Sequence, residues 1–116
     1  MEQDMQKQIE QLLADIKQDY VDWTTAASKG KPLSNYFKET LENFDDNLEV
    51  KEGKKYIKII RDGSTWGFVV AVDNDPKFRR GDILMAAGFN APARNKPRGN
   101  ILDGNYRIQW TGPAYL

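Results

Sequence analysis

A chain of 116 residues with 17 Lys/Arg, 17 Asp/Glu, no histidine and no cysteine is one domain by length, able to bury roughly two-thirds of its unfolded surface. The missing residue types exclude a disulfide framework, thiolate chemistry, His-dependent triads and any zinc site built on Cys or His. Total charge is balanced but unevenly placed: residues 1–52 hold 12 Asp/Glu against 6 Lys/Arg, and residues 53–116 hold 5 against 11.

Such polarity has two readings. Either the basic half meets an acidic partner, nucleic acid foremost, or the acidic N-terminal segment folds against its own basic half. The N-terminus is polar and acidic, and no apolar run approaches the roughly 18 residues of a membrane span. The expectation is a cytoplasmic protein (host cytoplasm, if virally encoded) with no membrane partner.

Residues 2–28 read as one amphipathic helix, with Met5, Ile9, Leu12, Leu13, Ile16, Tyr20 and Trp23 at steps of three and four. Gly30 and Pro32 supply its stop. The stripe fits packing on the chain's own sheet. It also fits an a/d seam, broken at Asp19, that would pair helix 2–28 with a second copy. A second helix is predicted from Ser34 to Phe44, capped by Ser34 or Asn35, with Phe37, Leu41 and Phe44 on its apolar face. Asp45 and Asp46 end it. Their carboxylates suit Mg²⁺, yet no further ligand stands nearby, so a solvated helix end is the simpler reading.

From Leu48 the period changes to two. Leu48–Lys51, Lys55–Arg61, Thr65–Val72 and Ile83–Ala87 read as strands rich in Val, Ile, Tyr, Trp and Phe. Asp62-Gly63 between the second and third is a hairpin signal. Alternation puts Trp66, Phe68, Val70 and Val72 on one face. Ile101-Leu102 and Tyr106–Trp110 are predicted to close a last hairpin around Asp103-Gly104, with Tyr106, Ile108 and Trp110 inward and Arg107 and Gln109 outward. The tail from Thr111 is expected on the surface. The fold class is therefore α+β: two N-terminal helices (1–46) on a mostly antiparallel sheet of five or six strands (47–116), curled into a half-barrel.

Between the last two strand regions lies Gly88–Asn100, which carries Arg94, Lys96 and Arg98, three asparagines, two prolines and Phe89. No period runs through it, and a structureless connection this long is usually functional or disordered. Its prolines stiffen it, which lowers the entropy lost on binding. Arg94, Asn95, Lys96, Arg98 and Asn100 offer donors to phosphates or carboxylates, and Phe89 offers a ring to stack on a base or fill a partner's pocket. Arg79 and Arg80 stand before the preceding strand. Thirteen extended residues span roughly 40 Å, so the loop can fold back and bring the two clusters together. The competing account is a solvated loop whose cations pair with the acidic helix.

Three motifs are weaker. Trp66-Gly67-Phe68-Val69 resembles the aromatic core of an RNP1 strand, where aromatics stack on bases. No basic residues precede it, so a core strand is the simpler reading. Gly99 to Gly104 has P-loop glycine spacing, but Asn105 and Tyr106 stand where Lys and Ser/Thr are needed. Asp73-Asn74-Asp75 opens like a calcium loop and meets Pro76 and Lys77, so it reads as a turn. No cofactor or metal is expected, and no pair of carboxylates is set apart as acid and base.

Gly81-Asp-Ile-Leu, Ala91-Pro-Ala-Arg-Asn, Arg98-Gly-Asn-Ile and Trp110-Thr-Gly together give residues 55–116 a pattern that resembles short accessory proteins of tailed bacteriophages. That group has no assigned activity, so the resemblance implies a phage accessory protein and assigns no residue a role. Three functions follow as expectations. The first is a non-enzymatic module whose loop 88–100 holds an acidic ligand such as nucleic acid. The second is a protein-binding inhibitor of a host or anti-phage defence factor, and the third is a His- and Cys-free enzyme acting on nucleotides.

Overall fold

The computed structural model describes residues 3–28, 35–94, 96–106 and 108–113. Its elements are α1 (Gln3–Ser28), α2 (Asn35–Glu42), β1 (Leu48–Glu52), β2 (Tyr56–Arg61), β3 (Ser64–Val70), β4 (Ile83–Met85), β5 (Gly99–Asn100), β6 (Asn105–Tyr106), β7 (Ile108–Gln109) and β8 (Gly112–Pro113). The fold is α+β as the sequence implies. The predicted stops at Gly30 and Pro32, the cap at Ser34, Asn95 and Arg107 lie outside the described residues, as do the side chains of Asn35 and Phe37.

β1 to β4 form one antiparallel sheet in sequence order, while β5–β6 and β7–β8 are separate two-stranded ribbons. This corrects the expected five- or six-stranded half-barrel: the main sheet has four strands and stays open. The reason lies after Asn100. Ile101 is fully buried in the core, so Ile101 to Gly104 becomes the turn of the short β5–β6 ladder instead of a strand. Gly104, at φ 72°, makes that turn.

α1 lays Met5, Ile9, Leu12, Ile16 and Tyr20 on the sheet, where they join Ile57, Ile59, Val69 and Ile83 in one apolar cluster. Thr24 takes the next inward position and satisfies its hydroxyl on the Val21 carbonyl at 3.0 Å. The helix stripe is thus buried within a single chain. Acidic residues flanking it hold the C-terminal ribbons: Asp19 accepts the Trp110 amide at 2.8 Å, and Asp15 accepts the Tyr106 hydroxyl.

The β2–β3 turn has positive φ at both Asp62 (51°) and Gly63 (77°), the requirement of a type I′ hairpin. A bulge then changes the faces of β3. Ile59 pairs with Gly67 and Ile60 with Thr65, which leaves Trp66 as the extra residue. Trp66 consequently turns toward the helix cluster, while Phe68 and Val70 enter a second cluster on the opposite face with Phe78 and Leu84. The expected common face of Trp66, Phe68, Val70 and Val72 is broken at Trp66 by that one residue. Both aromatics are about 3% exposed, so neither offers an open ring in the manner of an RNP1 strand. Gly67 admits no side chain, because a Cβ would lie 2.9 Å from both the Leu84 carbonyl and Pro113. Pro113 is itself buried, which takes this part of the tail off the expected surface.

Candidate anion-binding face

The second face of the sheet is covered by loops, and its organiser is Asp75. The turn after Val72 aims this carboxylate back at the sheet with its side chain 0% exposed. Oδ1 accepts the amides of Lys77 (2.8 Å) and Phe78 (3.0 Å), the local geometry of an Asx turn. Arg94 donates to both oxygens at 2.9 and 3.0 Å, and Lys55 approaches at 3.1 Å. Burial acts to raise the carboxyl pKa, but the two amides and then the two cations outweigh it and hold Asp75 well below the usual carboxylate range. Arg94 also donates to the Tyr56 hydroxyl and lies 4.9 Å from the Phe78 ring. Asp75 raises its pKa in turn.

Loop 88–100 does fold back along β4. Ala86 bridges to Pro92, the Ala93 amide donates to Met85 at 2.7 Å, the Arg98 amide donates to Ile83 at 2.9 Å, and Asp82 bridges to Asn100. At its tip the amides of Ala87 and Gly88 both reach the Ala91 carbonyl. Phe89 stands there 54% exposed. Lys58 Nζ sits 3.4 Å from the centroid of that ring and donates to Asn90 at 2.8 Å, while Thr65 donates to the Phe89 carbonyl at 2.7 Å. Lys51 pairs across the ladder with Lys58, and Lys58 with Phe68, so these side chains share the loop-covered face. Burial, helped by Lys51, lowers the Lys58 pKa.

The residues singled out from sequence separate into three places. Arg94 and Phe89 belong to this face. Arg98 is buried against Met85, donating to the Lys96 carbonyl at 2.9 Å and contacting the Met85 sulfur at 3.9 Å. Because Ile83 and Met85 alternate with Leu84, Arg98 lies toward the helix side. Lys96 is exposed between the two and Asn95 is not described. Arg79, Arg80 and Asn100 gather at the start of β4. Arg79 pairs with Asp103 and Arg80 reaches Asp4 of α1 at 3.4 Å, so the cation that meets the acidic helix stands before β4 and not in loop 88–100, whose Arg94 pairs with Asp75 instead. The Arg80 hydrogen bond lowers the Asp4 pKa. Asn100 donates to the Arg80 carbonyl and to Asp82, both at 2.9 Å, and accepts the Leu102 amide at 2.8 Å. Its amide is thus used inside the fold.

Lys51, Lys55, Lys58, Tyr56 and Asp75 were not singled out from sequence, and a signal existed for two of them. Tyr56 and Lys58 are the polar-tipped members of a period-two strand whose alternate members are Ile57 and Ile59, which marks their side as the one no helix covers. Among the described residues no three of His, Cys, Asp or Glu gather as a metal site would require, and Asp45 pairs with Lys17 at 3.0 Å. No described helix is long and apolar enough to cross a membrane. No protein-family profile, curated protein or solved structure matches this chain.

Proposed function

We propose that this chain is a non-enzymatic binding module, an accessory protein of a tailed bacteriophage, whose loop-covered sheet face grips a single nucleic-acid strand. The observation that carries the reading is Phe89: a ring more than half exposed, fixed at a loop tip by three contacts and bordered by Lys58 and Lys51. A solvated tip has no need of an aromatic held this way. Strand-binding surfaces combine such a ring with flanking cations, since bases stack without regard to sequence and phosphates follow the charge. Lys55, Lys77 and Arg94 extend the cationic track from Phe89 toward the Asp75 turn.

The test is titration of a labelled deoxythymidine oligomer at several salt concentrations. Three to five phosphate contacts predict a slope of about −2 to −3.5 in log affinity against log salt. Phe89→Ala should weaken binding by about 1–3 kcal/mol, roughly 5- to 150-fold. Affinity indifferent to both salt and Phe89 would discard the reading. The same exposed ring supports a second reading, a protein-binding inhibitor of a host or defence factor, in which Phe89 fills a pocket of the partner. A stoichiometric protein retained from nuclease-treated lysate by the wild type and lost by Phe89→Ala would favour that one.

A further inference from the structure

A cleft of about 440 Å³ opens on the other side of the sheet, where the C-terminal half of α1 meets α2 and the β2–β3 turn. Its floor is aromatic. Trp23 and Trp110 lie 5.4 Å apart at 51°, and Tyr20 packs edge-on against Trp110 at 4.9 Å. Trp23 ends the otherwise buried stripe of α1 and is 47% exposed. The rim is polar: Glu39 and Asn43 from α2 and its following turn, Asn47, and Arg61 at the end of β2.

Arg61 is the informative residue. Its guanidinium rests 4.9 Å from the Trp110 ring. Among the described residues it makes no hydrogen bond or ion pair, although Glu39 and Asp62 line the same cleft. A guanidinium oriented by an indole carries a planar fork of donors suited to a phosphate or carboxylate. The volume falls in the range of small-molecule sites, which combine aromatic walls with a few placed polar groups.

We infer that this cleft binds a nucleoside monophosphate. The base stacks on the exposed Trp23 ring, since the 5.4 Å Trp23–Trp110 spacing leaves no room to insert between them. The phosphate meets Arg61, and Glu39 and the Asn43 and Asn47 amides face the sugar hydroxyls and base edge. Two carboxylates around one cation disfavour longer phosphate chains, so one phosphate is preferred to three. The ligand is either a free mononucleotide or the terminal nucleotide of a strand. The site is separate from the Phe89 face, and either assignment stands if the other fails.

The three tryptophans make the test direct. In a two-dimensional NMR titration with adenosine and uridine 5′-monophosphates, the indole signals of Trp23 and Trp110 should move. Trp66, whose Nε1 is bonded inside the fold to Gln109 at 2.9 Å, should stay. Arg61→Gln should weaken monophosphate binding at least tenfold and leave binding of the unphosphorylated nucleoside unchanged, while Trp23→Ala should weaken both. Triphosphates should bind less tightly than monophosphates. A short oligomer carrying a 5′-phosphate that competes better than the free mononucleotide assigns the site to strand ends, and the reverse order assigns it to free nucleotide. The inference is overturned if no indole signal moves at up to about 10 mM mononucleotide, a binding energy weaker than about −3 kcal/mol. It is equally overturned if Arg61→Gln, still folded by its amide spectrum, binds as the wild type does, or if a neutral oligosaccharide moves the same signals and nucleotides do not.

Discussion

On the helix side of the main sheet, Ile57, Ile59, Val69 and Ile83 meet Met5, Ile9, Leu12 and Ile16 in a layer made of apolar contact. On the loop side, Phe68, Val70 and Leu84 have Phe78 as their one further buried partner among the described residues, and closure passes to Asp75 with Arg94, Lys55 and Tyr56. Apolar burial is non-directional and scales with area. A carboxylate held by two amides and two cations is directional and depends on every partner being charged. The helix side therefore sets whether the chain folds. The loop side sets whether the proposed binding surface is formed, and under that proposal its cations exchange an internal partner for an external anion.

Truncating the helix side should have the largest effect. Leu12 is fully buried at the middle of α1, and Leu12→Ala should lower unfolding free energy by about 3–5 kcal/mol in urea denaturation. A loss below about 1 kcal/mol would mean that α1 is not docked on the sheet, and the comparison between the faces would collapse. Gly67→Ala comes next. A methyl group there lies 2.9 Å from a backbone carbonyl and from Pro113, and forcing it in should cost about 1–3 kcal/mol. Because Gly67 sits beneath β8, Pro113→Gly should relieve part of that strain, and the double variant measures it.

Asp75→Ala should act on the loop side alone. Hydrogen exchange at the amides of Phe78 and Ala93, which depend on the turn and on the returning loop, should accelerate. The amides of Ile59 and Val69 in β2 and β3 should hardly change. Uniform acceleration would show the two faces to be a single cooperative unit.

These positions also show what was legible beforehand. The α1 stripe, the Asp62-Gly63 hairpin and the apolar strands follow local periodicity and turn chemistry, and those signals lie within a few residues of one another. Trp66 departs from its expected face because a one-residue bulge reverses the alternation, and nothing local marks it apart from the following glycine. Loop 88–100 reads as basic and as able to fold back. Its carboxylate partner, Asp75, stands 19 residues before Arg94 and reads locally as an ordinary turn residue. Arg61 comes from the end of β2, Trp110 from the turn between β7 and β8, and Trp23 from a helix far upstream, so no spacing announces their cleft. Period and turn chemistry fix elements, while the site is made of contacts that only the packed chain brings together.

The smallest effect, and the one that separates the faces most cleanly, is their dependence on pH. Asp75 has a folded pKa below its ordinary value of about 4. Between the two values the unfolded chain binds the extra proton. The Asp75 contribution is therefore complete above about pH 4 and is lost as pH falls toward the lowered value. Tyr106 is the opposite case. Burial, then the hydrogen bond to Asp15, raises its hydroxyl above the ordinary value of about 10. Its contribution, which ties the C-terminal ribbon to α1, is complete below about pH 10 and is lost above it. Acid should thus first expose the Phe78 and Ala93 amides, and alkali should first expose Trp110, whose amide is held by Asp19 one turn along α1. Asp75→Asn should flatten the acid limb, and Tyr106→Phe the alkaline one. If acid opened the Trp110 region first, the carboxylates of α1 would be the weaker clamps, and the loop face would be the more permanent of the two.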